Sequence, residues 1–142
     1  MIMGKEKLIP ILAMAVLLVA ISSTLYVNAQ QSETNDMKII QINNQQLNID
    51  ELYNTINTIT IETDDGERTG LPLGEVLEYS KVSCIECNSY TIKAKDPYQQ
   101  TVSGSEMKNG ILTYDEKYNA RVYFPNLAHS FWVYDIVEIE VK

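Results

Sequence analysis

Apolar residues are distributed along this chain in two distinct ways. From Leu8 to Val27, a run of 20 residues carries no charged side chain, whereas after Ala29 apolar residues recur in short groups separated by polar ones. A helix of about 20 residues rises roughly 30 Å, which matches the hydrocarbon thickness of a membrane. The pattern therefore predicts one N-terminal hydrophobic helix followed by a separate domain.

Short apolar or alternating segments after residue 36 are typical of β-strands. They cover residues 37–42, 56–62, 90–94, 98–102, 111–114, 120–124 and 131–141. In the last segment the apolar positions change register near Asp135, which indicates a bulge or bend. Pro72 favours a helix start and predicts a helix over residues 73–80. Asn48 or Asp50 can cap one further helical turn, and a serine at 103 or 105 can cap another.

Strands thus dominate, with two or three short helices between them. The predicted fold class is α+β, with a mixed and mainly antiparallel sheet.

The N-terminal segment predicts where the domain is displayed. Lys5 and Lys7 precede the apolar run, and the positive-inside rule then places the rest of the chain outside the cytoplasm. Residues 1–29 are either a signal peptide cleaved after Ala29 or a retained anchor that holds the protein at the membrane. Residues 30–36 form a polar tether, and residues 37–142 form the extracytoplasmic domain.

The charge balance excludes one class of partner. The chain carries 11 Lys and Arg against 19 Asp and Glu, a formal net charge of −8. Without Lys5, Glu6 and Lys7 of the N-terminal segment, that value becomes −9. Nucleic-acid binding requires clustered positive charge to replace the counterions of the phosphates, so nucleic acid is not expected as a partner.

Four segments together resemble the oxidoreductase molybdopterin-binding domain, which has the sulfite-oxidase-like fold. They are residues 70–77 (GLPLGEVL), 96–98 (DPY), 121–126 (RVYFPN) and 132–141 (WVYDIVEIEV). Their order and spacing match that family over about residues 39–142. The resemblance implies a sulfite-oxidase-like scaffold, and it is the only reason to consider a molybdopterin cofactor.

Catalytic members of that family bind molybdenum through a cysteine thiolate at the end of the strand before the Gly-x-Pro-Leu segment. The corresponding residues here, 61–64, are Ile-Glu-Thr-Asp. A carboxylate or hydroxyl is a hard donor and does not replace a soft thiolate. We therefore expect no cofactor and favour a non-catalytic binding module over an enzyme.

Cys84 and Cys87 form a C-x-x-C pair, for which a local disulfide is the simplest interpretation outside the cytoplasm. Free thiols, a redox pair or half of a metal site are the alternatives. Asp64, Asp65 and Glu67 cluster in a turn but lack the spacing of a calcium loop, so no metal site is predicted.

A ligand-binding patch is predicted where aromatic and cationic residues lie near strand ends. Tyrosine and tryptophan suit recognition surfaces because they combine a large contact area with a polar tip. The candidates are Tyr98, Arg121, Tyr123, His129 and Trp132. The simpler alternatives are core packing for the aromatic residues, an exposed loop for His129, and a surface carboxylate partner for Arg121.

Three functions follow in order of preference. The first is a non-catalytic binding or accessory module that takes a small ligand. The second is an interaction domain for another envelope protein, and the third is a molybdopterin-dependent oxidoreductase component.

Overall fold

A computed structural model describes residues 13–19 and 38–142. Residues 13–19 are helical and exposed. Among the described residues, no helix is long and apolar enough to cross a membrane. The leader or anchor predicted over residues 1–29 lies mostly outside the described residues, and the tether over 30–36 lies wholly outside them. Residues 38–142 belong to one compact unit.

The first sheet of this unit has five strands in the order β2-β1-β9-β5-β6. These strands are β1 (Ile39–Ile42), β2 (Gln45–Asn48), β5 (Ser89–Ala94), β6 (Gln99–Ser103) and β9 (Ile136–Val141). β1 runs parallel to β9, and the other neighbours are antiparallel. The sheet is therefore mixed, with the last strand of the chain at its centre.

The second sheet has four antiparallel strands in the order β3-β4-β7-β8. They are β3 (Ile59–Thr63), β4 (Gly66–Pro72), β7 (Ile111–Asp115) and β8 (Asn119–Tyr123). The predicted α+β class is confirmed, but the strands form two sheets where the sequence suggested one.

Three short α-helices connect the strands: α1 (Ile49–Thr55), α2 (Leu73–Tyr79) and α3 (Gly104–Asn109). Asn48 caps α1 by accepting a hydrogen bond from the Asp50 backbone, and Ser103 caps α3 by accepting from Glu106. Pro72 precedes α2, as its fixed φ angle predicts. Two 3-10 turns, Ile85–Cys87 and His129–Phe131, complete the unit.

The core takes side chains from both sheets and from the helices. Its largest fully buried members include Tyr90, Phe124, Ile40, Leu73 and Met107. A backbone hydrogen bond links the start of α2 to the end of α3: the Leu73 N–H donates to the Gly110 carbonyl at 3.0 Å. The apolar spacing of α2 is explained by this core, into which Leu73 and its neighbours at helical spacing are buried.

Two strands were missed from the sequence, and one was predicted too long. β2 is a polar edge strand and β4 is largely exposed over its first half, so neither has an apolar pattern. The predicted strand over residues 131–141 begins only at Ile136, because Asp135 has a φ of 52° and turns the chain. The predicted irregularity is present as a register shift where Ala94 pairs with Ile136.

Candidate functional site

Tyr123 and Trp132 form the centre of the candidate site. Tyr123 ends β8, and Trp132 follows the 3-10 turn His129–Phe131. Their rings meet edge to face with centroids 5.1 Å apart, and both side chains are buried. The Trp132 indole N–H donates to the Phe124 carbonyl at 3.1 Å, which gives the buried indole its polar partner. This aromatic pair is therefore a rigid base for the residues around it.

His129 lies on the outer side of Trp132. The two rings are stacked with centroids 3.8 Å apart. The His129 Nε2 lies 2.8 Å from the Asp64 Oδ1 in the β3–β4 turn, so one side chain joins two separate loops. The hydrogen bond with His129 holds the pKa of the Asp64 carboxyl below its ordinary value.

Both arginines of the chain approach the ring of Tyr123. The Arg121 guanidinium carbon lies 4.4 Å from the ring centroid and that of Arg68 lies 5.1 Å from it. These distances are within the range of cation–π attraction. Arg68 also pairs with the exposed carboxylate of Asp65 at 3.0 Å.

Arg121 is surrounded by tyrosines. Its guanidinium carbon lies 3.8 Å from the Tyr134 ring centroid and 5.4 Å from that of Tyr118. Its Nη2 donates to the Tyr134 hydroxyl at 2.7 Å. We call Tyr118, Arg121, Tyr123 and Tyr134 the arginine–tyrosine cluster. Tyr118 and Tyr134 are 38% and 45% exposed, so the cluster is open to solvent on that side.

The expected carboxylate partner of Arg121 is not found. In the part of the chain that the structure describes, no carboxylate oxygen lies within 4.0 Å of its guanidinium, and its buried Nε has no hydrogen-bond partner. An arginine has five N–H donors, and only one bond to Tyr134 is made here. Arg121 thus keeps unused donors beside an exposed aromatic surface.

Two left-handed residues bring Tyr118 and Tyr134 to Arg121. Asn119 and Asp135 have φ angles of 53° and 52°, and the Asn119 side chain donates to Asp135 at 2.8 Å. The Asp135 backbone N–H donates to the Tyr118 carbonyl at 3.1 Å. The two tyrosine rings consequently lie 5.6 Å apart.

The five candidate residues lie together around one turn. Arg121, Tyr123, Trp132 and His129 follow one another in ring contact. Tyr98, the residue before β6, contacts the same turn, because its hydroxyl donates a hydrogen bond to the Ser130 carbonyl.

Sequence reasoning missed Arg68, Tyr118 and Tyr134 as neighbours of this group. Arg121 and Tyr123 share a face of β8 through their i, i+2 spacing, which was visible in the sequence. The positions of Tyr118 and Tyr134 depend on the two turns just described, and those turns give no apolar pattern.

Cys84 and Cys87 are joined by a disulfide, with Cα atoms 5.3 Å apart. They are the only cysteines of the chain, and neither lies at the end of β3. The residues present therefore do not fit a thiolate-bound molybdenum.

Two acidic residues of the β3–β4 turn have side-chain partners. Asp64 contacts His129 and Asp65 contacts Arg68. Within residues 13–19 and 38–142, no group of three or more His, Cys, Asp or Glu is placed to hold a metal ion.

Comparison with known proteins gives no family assignment. No protein-family model matches the chain, and no curated protein matches it. The resemblance to the molybdopterin-binding domain therefore rests on the four sequence segments alone.

Proposed function

We propose that this chain is a non-catalytic binding module, displayed outside the cytoplasmic membrane, that takes a small anionic ligand at the arginine–tyrosine cluster. The observation that supports the proposal is the convergence of both arginines and the single histidine on the Tyr123–Trp132 pair. A sulfite-oxidase-like scaffold belongs to the same proposal, on the strength of the sequence resemblance.

The chemistry of the cluster suits a carboxylate or phosphate attached to a flat group. A guanidinium presents paired N–H donors that match the oxygens of either anion. Because Arg121 has no carboxylate partner among the described residues, a ligand does not have to displace one. The exposed rings of Tyr118 and Tyr134 offer apolar area next to these donors.

The strong acidity of the domain means that an anion can bind only where positive charge is concentrated. With a net charge of −9 outside residues 1–29, most of the surface repels anions. A site that attracts an anion must then supply local positive charge. Arg121 and Lys117 supply it, the Lys117 ammonium lying 4.8 Å from the Tyr118 ring centroid.

NMR titration of the full chain with small probes tests the proposal. Benzoate and phenyl phosphate carry the anion, and benzamide is the matched neutral probe. We expect saturable shifts of the Arg121, Tyr118 and Tyr134 signals with the two anions and none with benzamide. Arg121→Gln should abolish these shifts, whereas Lys108→Gln, at an exposed ion pair with Glu86, should preserve them. Equal responses to benzamide, or an unchanged response in Arg121→Gln, would exclude an anion site here.

The envelope-partner alternative predicts a different result. If the exposed tyrosines contact another protein, cross-linking in intact membranes recovers one partner, and Tyr134→Ala abolishes it while the small anions leave the NMR spectrum unchanged.

A pterin-dependent oxidoreductase component is the remaining alternative. The same convergence of cationic side chains would also suit a pterin phosphate, although the thiolate for molybdenum is missing. Stoichiometric molybdenum in the natively purified protein would favour this function over the binding module.

A further inference from the structure

The Cys84–Cys87 disulfide lies beside a cavity that shares no residue with the arginine–tyrosine cluster. Both cysteines are exposed; Cys84 precedes the 3-10 turn Ile85–Cys87, and Cys87 is its last residue. The cavity has a volume of about 350 Å³ and is lined by Glu78, Val82, Cys84, Ile85, Glu86 and Lys108. Of the two cysteines, only Cys84 faces this space.

The loop that carries the disulfide is also held by other contacts. The Asn88 side-chain amide donates to the carbonyls of Ser83 and Cys84, each at 3.0 Å. The Tyr90 hydroxyl donates to the Ile85 carbonyl at 2.8 Å. The backbone at Glu86 packs so closely on Gly104, the first residue of α3, that a Cβ added there would lie 2.6 Å from the Glu86 Cα. These contacts do not involve sulfur, so the loop keeps its anchors when the disulfide is reduced.

Cys84 is also held in an unfavourable backbone conformation. Its φ of 47° lies in the left-handed region, which residues other than Gly, Asn and Asp rarely adopt. Exposed or strained disulfides are more oxidising than buried structural ones, and they are the ones that exchange with thiols.

We propose that Cys84–Cys87 is a thiol–disulfide exchange site that oxidises a dithiol outside the cytoplasm. A thiolate of the dithiol attacks the Cys84 sulfur from the cavity, the Cys84–Cys87 bond breaks, and Cys87 leaves as a thiolate that takes up a proton. The second thiol then loses its proton and attacks the mixed disulfide, which releases Cys84. The dithiol becomes a disulfide by losing two electrons and two protons, and Cys84 and Cys87 gain both as thiols.

Equilibration of the full chain with glutathione redox buffers tests this site. We expect the disulfide to become partly reduced within the range that glutathione can reach, because an exchange site must accept electrons from ordinary thiols. A structural disulfide resists glutathione and yields only to excess dithiothreitol. Resistance of that kind would overturn the proposal.

The cysteine variants separate the two sulfurs. In Cys87→Ser, the remaining Cys84 thiol should form a mixed disulfide with glutathione disulfide faster than the Cys87 thiol does in Cys84→Ser, since only Cys84 faces the cavity. Equal rates, or a faster reaction at Cys87, would contradict the proposed path of attack.

Folding of the reduced form is the second criterion. The double variant Cys84→Ser and Cys87→Ser should keep its circular dichroism spectrum and its cooperative unfolding. If it unfolds, the disulfide is structural and the proposal fails. The exchange is measured at the two cysteines and the anion response at Arg121, so a failure of the anion site and a failure of this site can be told apart.

Discussion

At the residue scale, the position of Arg121 is the most informative feature of the molecule. A surface arginine in an acidic domain ordinarily meets a carboxylate, yet Arg121 lies among three tyrosines. The tyrosine rings contact the flat face of the guanidinium. Its N–H donors lie in the guanidinium plane, so these cation–π contacts do not occupy them. These contacts hold the side chain in place, which would lower the entropy lost on binding the proposed anion.

Gly104 provides a prediction about close backbone packing. In Gly104→Ala the new Cβ would lie 2.6 Å from the Glu86 Cα, a backbone atom that cannot rotate away. We expect a loss of about 1–3 kcal/mol in the free energy of unfolding, the usual cost of overpacking. Urea denaturation of the full chain measures it.

The matched control is Gly74→Ala in α2. There the nearest atom to the new Cβ is a flexible Lys108 carbon at 3.5 Å, and alanine favours the helix by up to about 1 kcal/mol. Equal stabilities of the two variants would contradict the packing described for Gly104.

Asp64 provides a prediction about pH. Its hydrogen bond with His129 lowers the pKa of the carboxyl in the folded protein. The ionised carboxylate therefore contributes stability above the ordinary carboxyl range, and this contribution is lost as pH falls through the lowered pKa. An NMR pH titration of the Asp64 carboxyl carbon should show the pKa rising toward its ordinary value in His129→Ala.

Glu140 is the internal control for that titration. Its pKa is lowered by a hydrogen bond from Lys93, which His129 does not contact. A change at Glu140 in His129→Ala, or no change at Asp64, would mean that the substitution acts through general unfolding or that the His129–Asp64 contact is absent in solution.

At the element scale, short helices depend on their caps. α1 has seven residues, which is too short for stability from helix propensity alone. Asn48 satisfies one backbone donor at its N-terminus by accepting from Asp50 at 2.9 Å.

Asn48→Ala should therefore lower the free energy of unfolding by about 1 kcal/mol. The same substitution at Asn54, inside α1 and exposed, removes no cap and should be neutral or slightly stabilising. Thermal unfolding of the two variants compares them directly. A larger loss for Asn54→Ala would show that the helix is not held in this way.

The elements also show which parts of the fold can be predicted from sequence. The strand β5 and the amphipathic helix α2 were predicted well, because their buried apolar residues recur at the spacing of a strand and of a helix. β2 and the first half of β4 are exposed, so burial leaves no pattern in them. Pairing with neighbouring strands makes them strands, and that pairing is a tertiary interaction.

At the scale of the whole molecule, the described domain has two candidate sites that share no residue. The arginine–tyrosine cluster belongs to the β7–β8 turn, β8 and the segment before β9, and the disulfide lies between α2 and β5. The proposed display outside the cytoplasm suits the disulfide, since disulfides persist in an oxidising compartment.

The candidate site was predictable only in part for a similar reason. Tyr123, Trp132, His129 and Arg121 were singled out from residue type and from their place near strand ends. Their contacts with one another are local in sequence, but Arg68 approaches Tyr123 and Asp64 contacts His129 from the distant β3–β4 segment. Contacts between such distant segments are set by tertiary packing, which leaves no local pattern in the sequence.

The most direct test of the proposed anion site is the ligand content of the natively expressed full chain. The protein and its Arg121→Gln variant are purified without denaturation, and the molecules released on unfolding are measured by mass spectrometry alongside elemental analysis for molybdenum. Anion binding at Arg121 predicts an organic anion that is present with the natural protein and lost in Arg121→Gln, without stoichiometric molybdenum. Stoichiometric molybdenum accompanied by a pterin would contradict it.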